Sequence, residues 1–157
     1  MNVTWFKTAS SACSRITKSA SGRRNQRTAS IPIPMKPNLV WFDIPAVDID
    51  RAIQFYSAVL AAPVKKELIG DMPLGWLPTP DGGQMGCLCV VPNFKPSADG
   101  VMIYLSVNGR LRDAVAAVRA HGGTVQTDIH SIAPHGFRAE ILDSEGNCLA
   151  LHSETEE

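Results

Sequence analysis

The cysteines are the side chains whose spacing could most directly indicate metal or disulfide chemistry. They stand at positions 13, 87, 89 and 148 of the 157-residue chain. This spacing matches neither a zinc ribbon nor the framework of a small disulfide-rich domain. Cys87 and Cys89 alone would supply only half of the four ligands that a structural zinc site needs. We therefore expect free, buried thiols in a reducing cytoplasm.

The four histidines are the next candidates, because imidazole binds metals and transfers protons near neutral pH. His121 follows a helical pattern, where its positive form would favour the negative end of the helix dipole. His135 lies on a predicted loop that could close over a binding site, and His152 lies near the end of the chain. His130 is expected on the surface.

Charge is distributed unevenly, although the formal net charge is +0. Residues 1–34 contain six basic and no acidic residues, whereas residues 35–157 contain 9 basic and 15 acidic residues, a net charge of −6. An acidic body argues against a nucleic-acid partner, because phosphate neutralisation needs clustered Lys and Arg. No run approaches the ~18 consecutive apolar residues of a membrane span. We expect neither a nucleic-acid nor a membrane partner.

Residues 1–34 differ in composition from the rest and are excluded from the predicted fold. They are rich in Ser, Thr and Arg and end in Ile31-Pro32-Ile33-Pro34, which cannot be helix interior. Three interpretations remain open: an upstream start chosen wrongly, with Met35 the true start; a disordered basic arm; or an organelle transit peptide. Residues 35–157 are the expected single domain.

From Leu39 onward, the same order of elements occurs twice: a strand, a helix and three further strands. Asp48 is placed to cap the first helix, and Gly122-Gly123 to end the second. The predicted strands are Leu39–Pro45, Val64–Ile69, Leu74–Pro78 and Gln84–Val91, then Val101–Val107, Thr124–Ile129, Phe137–Leu142 and Cys148–His152. We predict an α+β fold in which two βαβββ modules form one curved, cup-shaped mixed β-sheet. Its two helices lie on the outer face, and the cup encloses a small-molecule pocket.

Several stretches resemble the vicinal oxygen chelate superfamily, which includes glyoxalase I, bleomycin-resistance proteins and extradiol dioxygenases. The opening stretches are Trp41-Phe42-Asp43-Ile44-Pro45, Asp48-Ile49-Asp50-Arg51-Ala52 and Phe55-Tyr56. The later ones are His121-Gly122-Gly123 and the turn Asp143-Ser144-Glu145-Gly146-Asn147. The resemblance covers about residues 36–153 and implies a glyoxalase-like domain with a paired βαβββ cup.

In the enzymes of that superfamily, the resemblance implies a divalent metal held by His, Gln or Glu from four strands. The corresponding positions here are Trp41, Met102 and Ala150, and the fourth lies within Gly86–Cys89, where Cys89 is the only borderline ligand. Trp and Ala cannot bind a metal, and a thioether is a poor ligand for hard cations. We therefore expect no metal and no other cofactor. A different site built from Asp43, Cys89 and His152 stays open.

Strand alternation predicts which side chains line the cup together with these positions. The predicted ligand-binding residues are Trp41, Asp43, Met102, Tyr104, His135, Cys148, Ala150 and His152. Trp41 either fills the core or forms a stacking platform for a planar ligand. Asp43 either pairs with an arginine or, if an apolar cup desolvates it, acts as a catalytic general base.

Three functions remain open at this point. The leading hypothesis is a glyoxalase/bleomycin-resistance-like protein that binds a small, partly aromatic molecule in a metal-free cup. The alternative is a lyase or isomerase related to lactoylglutathione lyase, either metal-independent through Asp43 with Tyr104 or His135, or, less favoured, a metal-dependent lyase or dioxygenase. The third is a regulatory or interaction role. A cytoplasmic homodimer is expected in each case.

Overall fold

The computed structural model describes residues 39–157, so the predictions for residues 1–34 lie outside the described residues. The first module contains β1 (Phe42–Pro45), α1 (Ile49–Leu60), β2 (Lys65–Ile69), β3 (Met72–Pro78) and β4 (Gln84–Cys89). The second module contains β5 (Ile103–Ser106), α2 (Leu111–Ala120), β6 (Thr124–Ser131), β7 (Phe137–Leu142) and β8 (Cys148–Ser153). The predicted repetition of βαβββ is confirmed.

Each module forms one four-stranded mixed sheet, in the order β1-β4-β3-β2 and β5-β8-β7-β6. The first strand of each module pairs in parallel with the last, and the other pairings are antiparallel. The predicted α+β fold with its curved cup is confirmed. Neither helix among residues 39–157 has the length and apolar character to cross a membrane.

The first strand of each module is shorter than the sequence predicted. Leu39, Val40 and Val101 were included because they are apolar, but they are 71%, 84% and 92% exposed. They precede the paired residues of β1 and β5, so no neighbouring strand or helix covers them. Trp41 and Met102 likewise lie immediately before their strands.

Helix α1 begins and ends as the sequence predicted. The Asp48 carboxylate accepts hydrogen bonds from the backbone N–H groups of Asp50 and Arg51, which satisfies two donors of the first turn. Ala61, in the left-handed conformation, ends the helix. The buried face of α1 includes Phe55 and Val59 and packs in one core cluster with the outward side chains of its sheet. The same holds for α2 in the second module.

The turn between β7 and β8 connects the second module to the start of α1. The Glu145 carboxylate accepts hydrogen bonds from the N–H groups of Val47 and Asp48 at 2.8 and 2.9 Å, and forms an ion pair with Arg51 at 2.7 Å. Its side chain is fully buried. Burial alone would raise the pKa of Glu145, but these hydrogen bonds outweigh burial and lower it to about 2.

Two further residues of this turn form a buried network with the first module. The Tyr56 hydroxyl donates to Asp143 at 2.7 Å, and the Asn147 amide donates to the Pro45 carbonyl at 2.9 Å and to Asp143 at 2.8 Å. Burial, together with the Asp143 carboxylate, raises the pKa of Tyr56 well above its ordinary value, so the phenol remains a donor. The two sequence stretches that opened and closed the resemblance therefore contact each other.

Candidate functional site: the inner faces of the two sheets

Each sheet has an outer face covered by its helix and an inner face turned away from it. Burial along β4 shows the alternation: Leu88 belongs to the main core, whereas Cys87 and Cys89 belong to a separate cluster with Leu74 and Trp76. The same alternation places Tyr104, Ala150 and their neighbours on the inner face of the second sheet. These two inner faces are the candidate site.

The inner face of the first module is aromatic and sulfur-rich. The rings of Trp41 and Trp76 meet edge to face, with centroids 5.7 Å apart. The Trp41 indole N–H donates to Asp43 Oδ1 at 2.9 Å, and the Cys87 thiol donates to the same oxygen at 3.1 Å. Trp41 therefore positions the Asp43 carboxylate as well as offering an aromatic surface.

Asp43 itself is an exposed residue, so the expectation that an apolar cup desolvates it is wrong. The carboxylate lies at the open side of the cluster, where water reaches it. The neighbouring Cys87 is buried instead. Desolvation is the main cause that raises the pKa of its thiol to about 12, and the hydrogen bond to Asp43 is the second cause. Burial likewise raises the pKa of Cys89. Both sulfurs are therefore neutral thiols near neutral pH, not the thiolates that bind metals.

The inner face of the second module is polar. Arg138 forms an ion pair with Glu140 at 2.6 Å, and its Nε donates to His130 Nε2 at 3.1 Å. A further N–H of Arg138 donates to the Tyr104 hydroxyl, and the guanidinium carbon lies 5.8 Å from the centroid of the Tyr104 ring. His130 Nδ1 lies 2.9 Å from the Asp128 carbonyl, so Nδ1 carries the proton and Nε2 accepts from Arg138.

Five of the eight predicted binding residues line two separate cavities, and Trp41 and Tyr104 line neither of them. Asp43, Met102 and Cys148 line one of about 350 Å³ between β1, β5 and β8, which the connector around residues 94–101 borders. His135 and His152 line a separate one of about 580 Å³, with the His152 ring Nε2 2.6 Å from the His135 carbonyl. A single ring of all these side chains is therefore not formed. Ala150 is fully buried beneath its neighbours.

The strand register identifies the fourth position that the sequence left open. Asp43 pairs with Cys87 between β1 and β4, as Tyr104 pairs with Ala150 between β5 and β8. Cys87 is therefore the counterpart of Ala150, and it lies within Gly86–Cys89, the range whose register the sequence left open. Cys89 corresponds instead to His152.

The four positions do not fit a divalent metal. They hold Trp41, Met102, Ala150 and Cys87, of which only the Cys87 sulfur is a donor of any strength, and one ligand does not hold a divalent ion. The alternative site of Asp43, Cys89 and His152 is not formed either. Across residues 39–157, no three His, Cys, Asp or Glu side chains are grouped closely enough to hold an ion.

Several inner-face residues were missed by the sequence analysis: Trp76, His130, Arg138 and Glu140. Alternation along β7, applied to a strand that was predicted with its correct bounds, would have placed Arg138 and Glu140 on the inner face. For Trp76 the strand was also predicted, but only the pairing with Cys87 shows that it belongs to this cluster.

These features form a two-module cup that resembles the vicinal oxygen chelate superfamily, and the positions that the resemblance assigns to metal ligands hold other side chains. Comparison with known proteins gives the same fold. A glyoxylase-like domain-containing protein of Didymella fabae is 28% identical over 118 residues, which cover 69% of this chain and 88% of that protein. The resemblance to the superfamily is thus confirmed. No family model matches the chain.

Solved structures show the fold at lower identity. A glyoxalase/bleomycin resistance protein/dioxygenase family enzyme from Burkholderia phytofirmans PsJN is 17% identical, with a TM-score of 0.57 over 74% of this chain and 98% of that one. A genomically encoded fosfomycin resistance protein from Listeria monocytogenes is 11% identical, with a TM-score of 0.56 over 76% of this chain and 94% of that one. At these identities the likeness establishes the fold alone.

Proposed function

We propose that this protein binds a small, partly aromatic molecule on the inner faces of its cup, without a metal. The observation that carries the proposal is the edge-to-face pair of Trp41 and Trp76 on the first inner face. Trp41 stands at a position that the resemblance assigns to a metal ligand, and it donates to Asp43, which lines the cavity of about 350 Å³. Aromatic side chains with a few placed polar groups are typical of small-molecule sites.

Trp76 supplies a second line of support. Its indole N–H is buried and has no hydrogen-bond acceptor among residues 39–157. A buried donor without an acceptor costs about 1–3 kcal/mol. A ligand that brings an acceptor oxygen to this side of the cup would recover that free energy, and this favours a ligand that is aromatic and also oxygenated.

Ligand-dependent thermal stability tests the proposal. Benzoate, benzamide, p-cresol and indole at ~10 mM should raise the Tm of the protein by some degrees if any of them binds the folded state. The variant Trp41→Leu should lose most of this shift. The matched control Leu68→Ala, at a residue 68% exposed on β2, should keep it. If none of these aromatic probes stabilises the wild-type protein, the proposal is wrong.

A second candidate is a metal-independent lyase or isomerase in which Asp43 abstracts a proton. The specific observation is that both Trp41 and Cys87 donate to Oδ1 of Asp43, whereas Oδ2 accepts no hydrogen bond from residues 39–157. The variant Asp43→Asn should abolish any turnover and preserve ligand binding. Unchanged turnover in that variant would exclude this mechanism. The homodimer and the cytoplasmic location expected from the sequence remain predictions.

A further inference from the structure

The two modules share a backbone plan but have opposite inner faces. At equivalent positions of the ladders, Cys89 pairs with Leu74 in the first module, and His152 pairs with Arg138 in the second. Two residues earlier on β4 and β8, Cys87 pairs with Trp76 in the first module, and Ala150 pairs with Glu140 in the second. The first inner face therefore carries aromatic and sulfur side chains around the Asp43 carboxylate, and the second carries the Arg138–Glu140 ion pair.

Arg138 is held in a fixed position on the second inner face. Three of its five N–H groups are engaged, by His130, Tyr104 and Glu140. The remaining two have no partner among residues 39–157, and 26% of the side chain is exposed. A guanidinium immobilised in this way loses little conformational entropy when it binds an oxyanion.

Ala150 explains how the guanidinium reaches Tyr104. Ala150 lies between Tyr104 on β5 and Glu140 on β7 in the register, and it is fully buried. Because its side chain is a single methyl group, Arg138 can extend across it to the Tyr104 hydroxyl. The position that the resemblance assigned to a metal ligand is thus spanned by Arg138, which is paired with Glu140.

We infer that the ligand is a small aromatic carboxylate, bound through its carboxylate by Arg138 and Tyr104. This inference rests on the proposed function and specifies its ligand class. A planar carboxylate can accept hydrogen bonds from the two remaining N–H groups of the Arg138 guanidinium. The Tyr104 hydroxyl contacts the same guanidinium and so lies beside the bound carboxylate. The alternative is that the Arg138–Glu140 ion pair on β7 is purely structural and binds no ligand. The experiment must distinguish the two roles.

The experiment compares two probes of equal shape, benzoate and benzamide, which differ in charge. Titration by NMR or calorimetry should give wild-type protein a Kd for benzoate about tenfold lower than for benzamide, the ratio expected when a charge-assisted hydrogen bond replaces a neutral one. The variant Arg138→Met should bring the ratio close to one and leave the affinity for benzamide unchanged. Tyr104→Phe should reduce the ratio by a smaller factor.

Arg119→Met is the matched control, because Arg119 is an exposed α2 residue whose pairing with Asp128 is long, at 3.4 Å. It should keep the wild-type ratio. If benzoate and benzamide bind equally, or if Arg138→Met folds and keeps the preference, the carboxylate assignment is overturned while the binding function stands. If neither probe binds the wild-type protein, the assignment is overturned too, and the thermal-shift panel then decides the binding function separately.

Discussion

Glu145 is an acidic side chain that the sequence identified only as part of a turn, yet it joins the two modules. It accepts hydrogen bonds from two N–H groups at the start of α1, where the helix dipole favours a negative charge, and it pairs with Arg51. The start of α1 directly follows β1, which carries Asp43. Glu145 therefore fixes the approach of the second module to the strand that lines the cavity.

The variant Glu145→Gln should destabilise the protein by about 2 kcal/mol, because the neutral amide loses the ion pair and its buried oxygen is a weaker acceptor for the N–H groups of Val47 and Asp48. Chemical denaturation measures the change in the free energy of unfolding. Glu156→Gln is the matched control: the Arg112–Glu156 pair is exposed on both sides, so its loss should cost less than about 0.5 kcal/mol. Equal losses in the two variants would contradict this role of Glu145.

The same carboxylate predicts how stability depends on pH. The pKa of Glu145 is about 2 in the folded protein, below its ordinary value of 4.5, so the unfolded state binds the proton more readily. The stabilisation is fully present above pH 4.5 and is lost as pH falls towards 2. Glu145→Gln should therefore flatten the decline of stability between these pH values. If the free energy of unfolding of the variant falls with pH as steeply as that of the wild-type protein, a group other than Glu145 causes the acid sensitivity.

At the scale of the element, the strength of the sequence pattern decided which predictions succeeded. The stripe of α1 and its Asp48 cap are local features, and the structure has both. Strand ends were less accurate, because apolar residues such as Leu39 and Val101 satisfy the pattern without being paired. Pairing is a long-range property that local alternation cannot determine.

The Gly-Gly motif after α2 shows how a local pattern can have a distant cause. Gly122 has a positive φ of 86°, as a helix end requires. Gly123 is needed for a different reason: a Cβ there would lie 2.7 Å from the Leu142 carbonyl and 2.7 Å from the Phe55 ring. Phe55 belongs to α1 of the other module, so the sequence could indicate the motif, but the packing that requires its second glycine follows only from the structure.

The candidate site was predictable to a lesser degree than the fold. Alternation correctly placed Asp43 and Tyr104 on inner faces, but it could not show that Trp41 and Cys87 both donate to Asp43. Arg138 reaches Tyr104, which is 34 residues away in the chain. Such contacts depend on register and on the small size of Ala150 between the strands, and neither is encoded in a short stretch of sequence.

At the scale of the whole molecule, the two modules repeat one backbone with different inner chemistry. The fold is shared with proteins described as enzymes and with a resistance protein, so the fold does not select among functions. What distinguishes this chain is a first inner face with two tryptophans and a second inner face with the Arg138–Glu140 ion pair.

This division of the cup leads to a prediction about metals for the intact protein. Protein purified without chelator and then dialysed should retain no stoichiometric divalent ion in elemental analysis, because Trp41, Met102 and Ala150 provide no ligand that a hard cation accepts and Cys87 alone cannot hold one. Added Mn²⁺, Ni²⁺ or Zn²⁺ should likewise leave the Tm unchanged, since an ion that binds only the folded state would raise it. One equivalent of a bound divalent ion would refute the metal-free proposal, and the metal-dependent lyase or dioxygenase would then become the leading hypothesis.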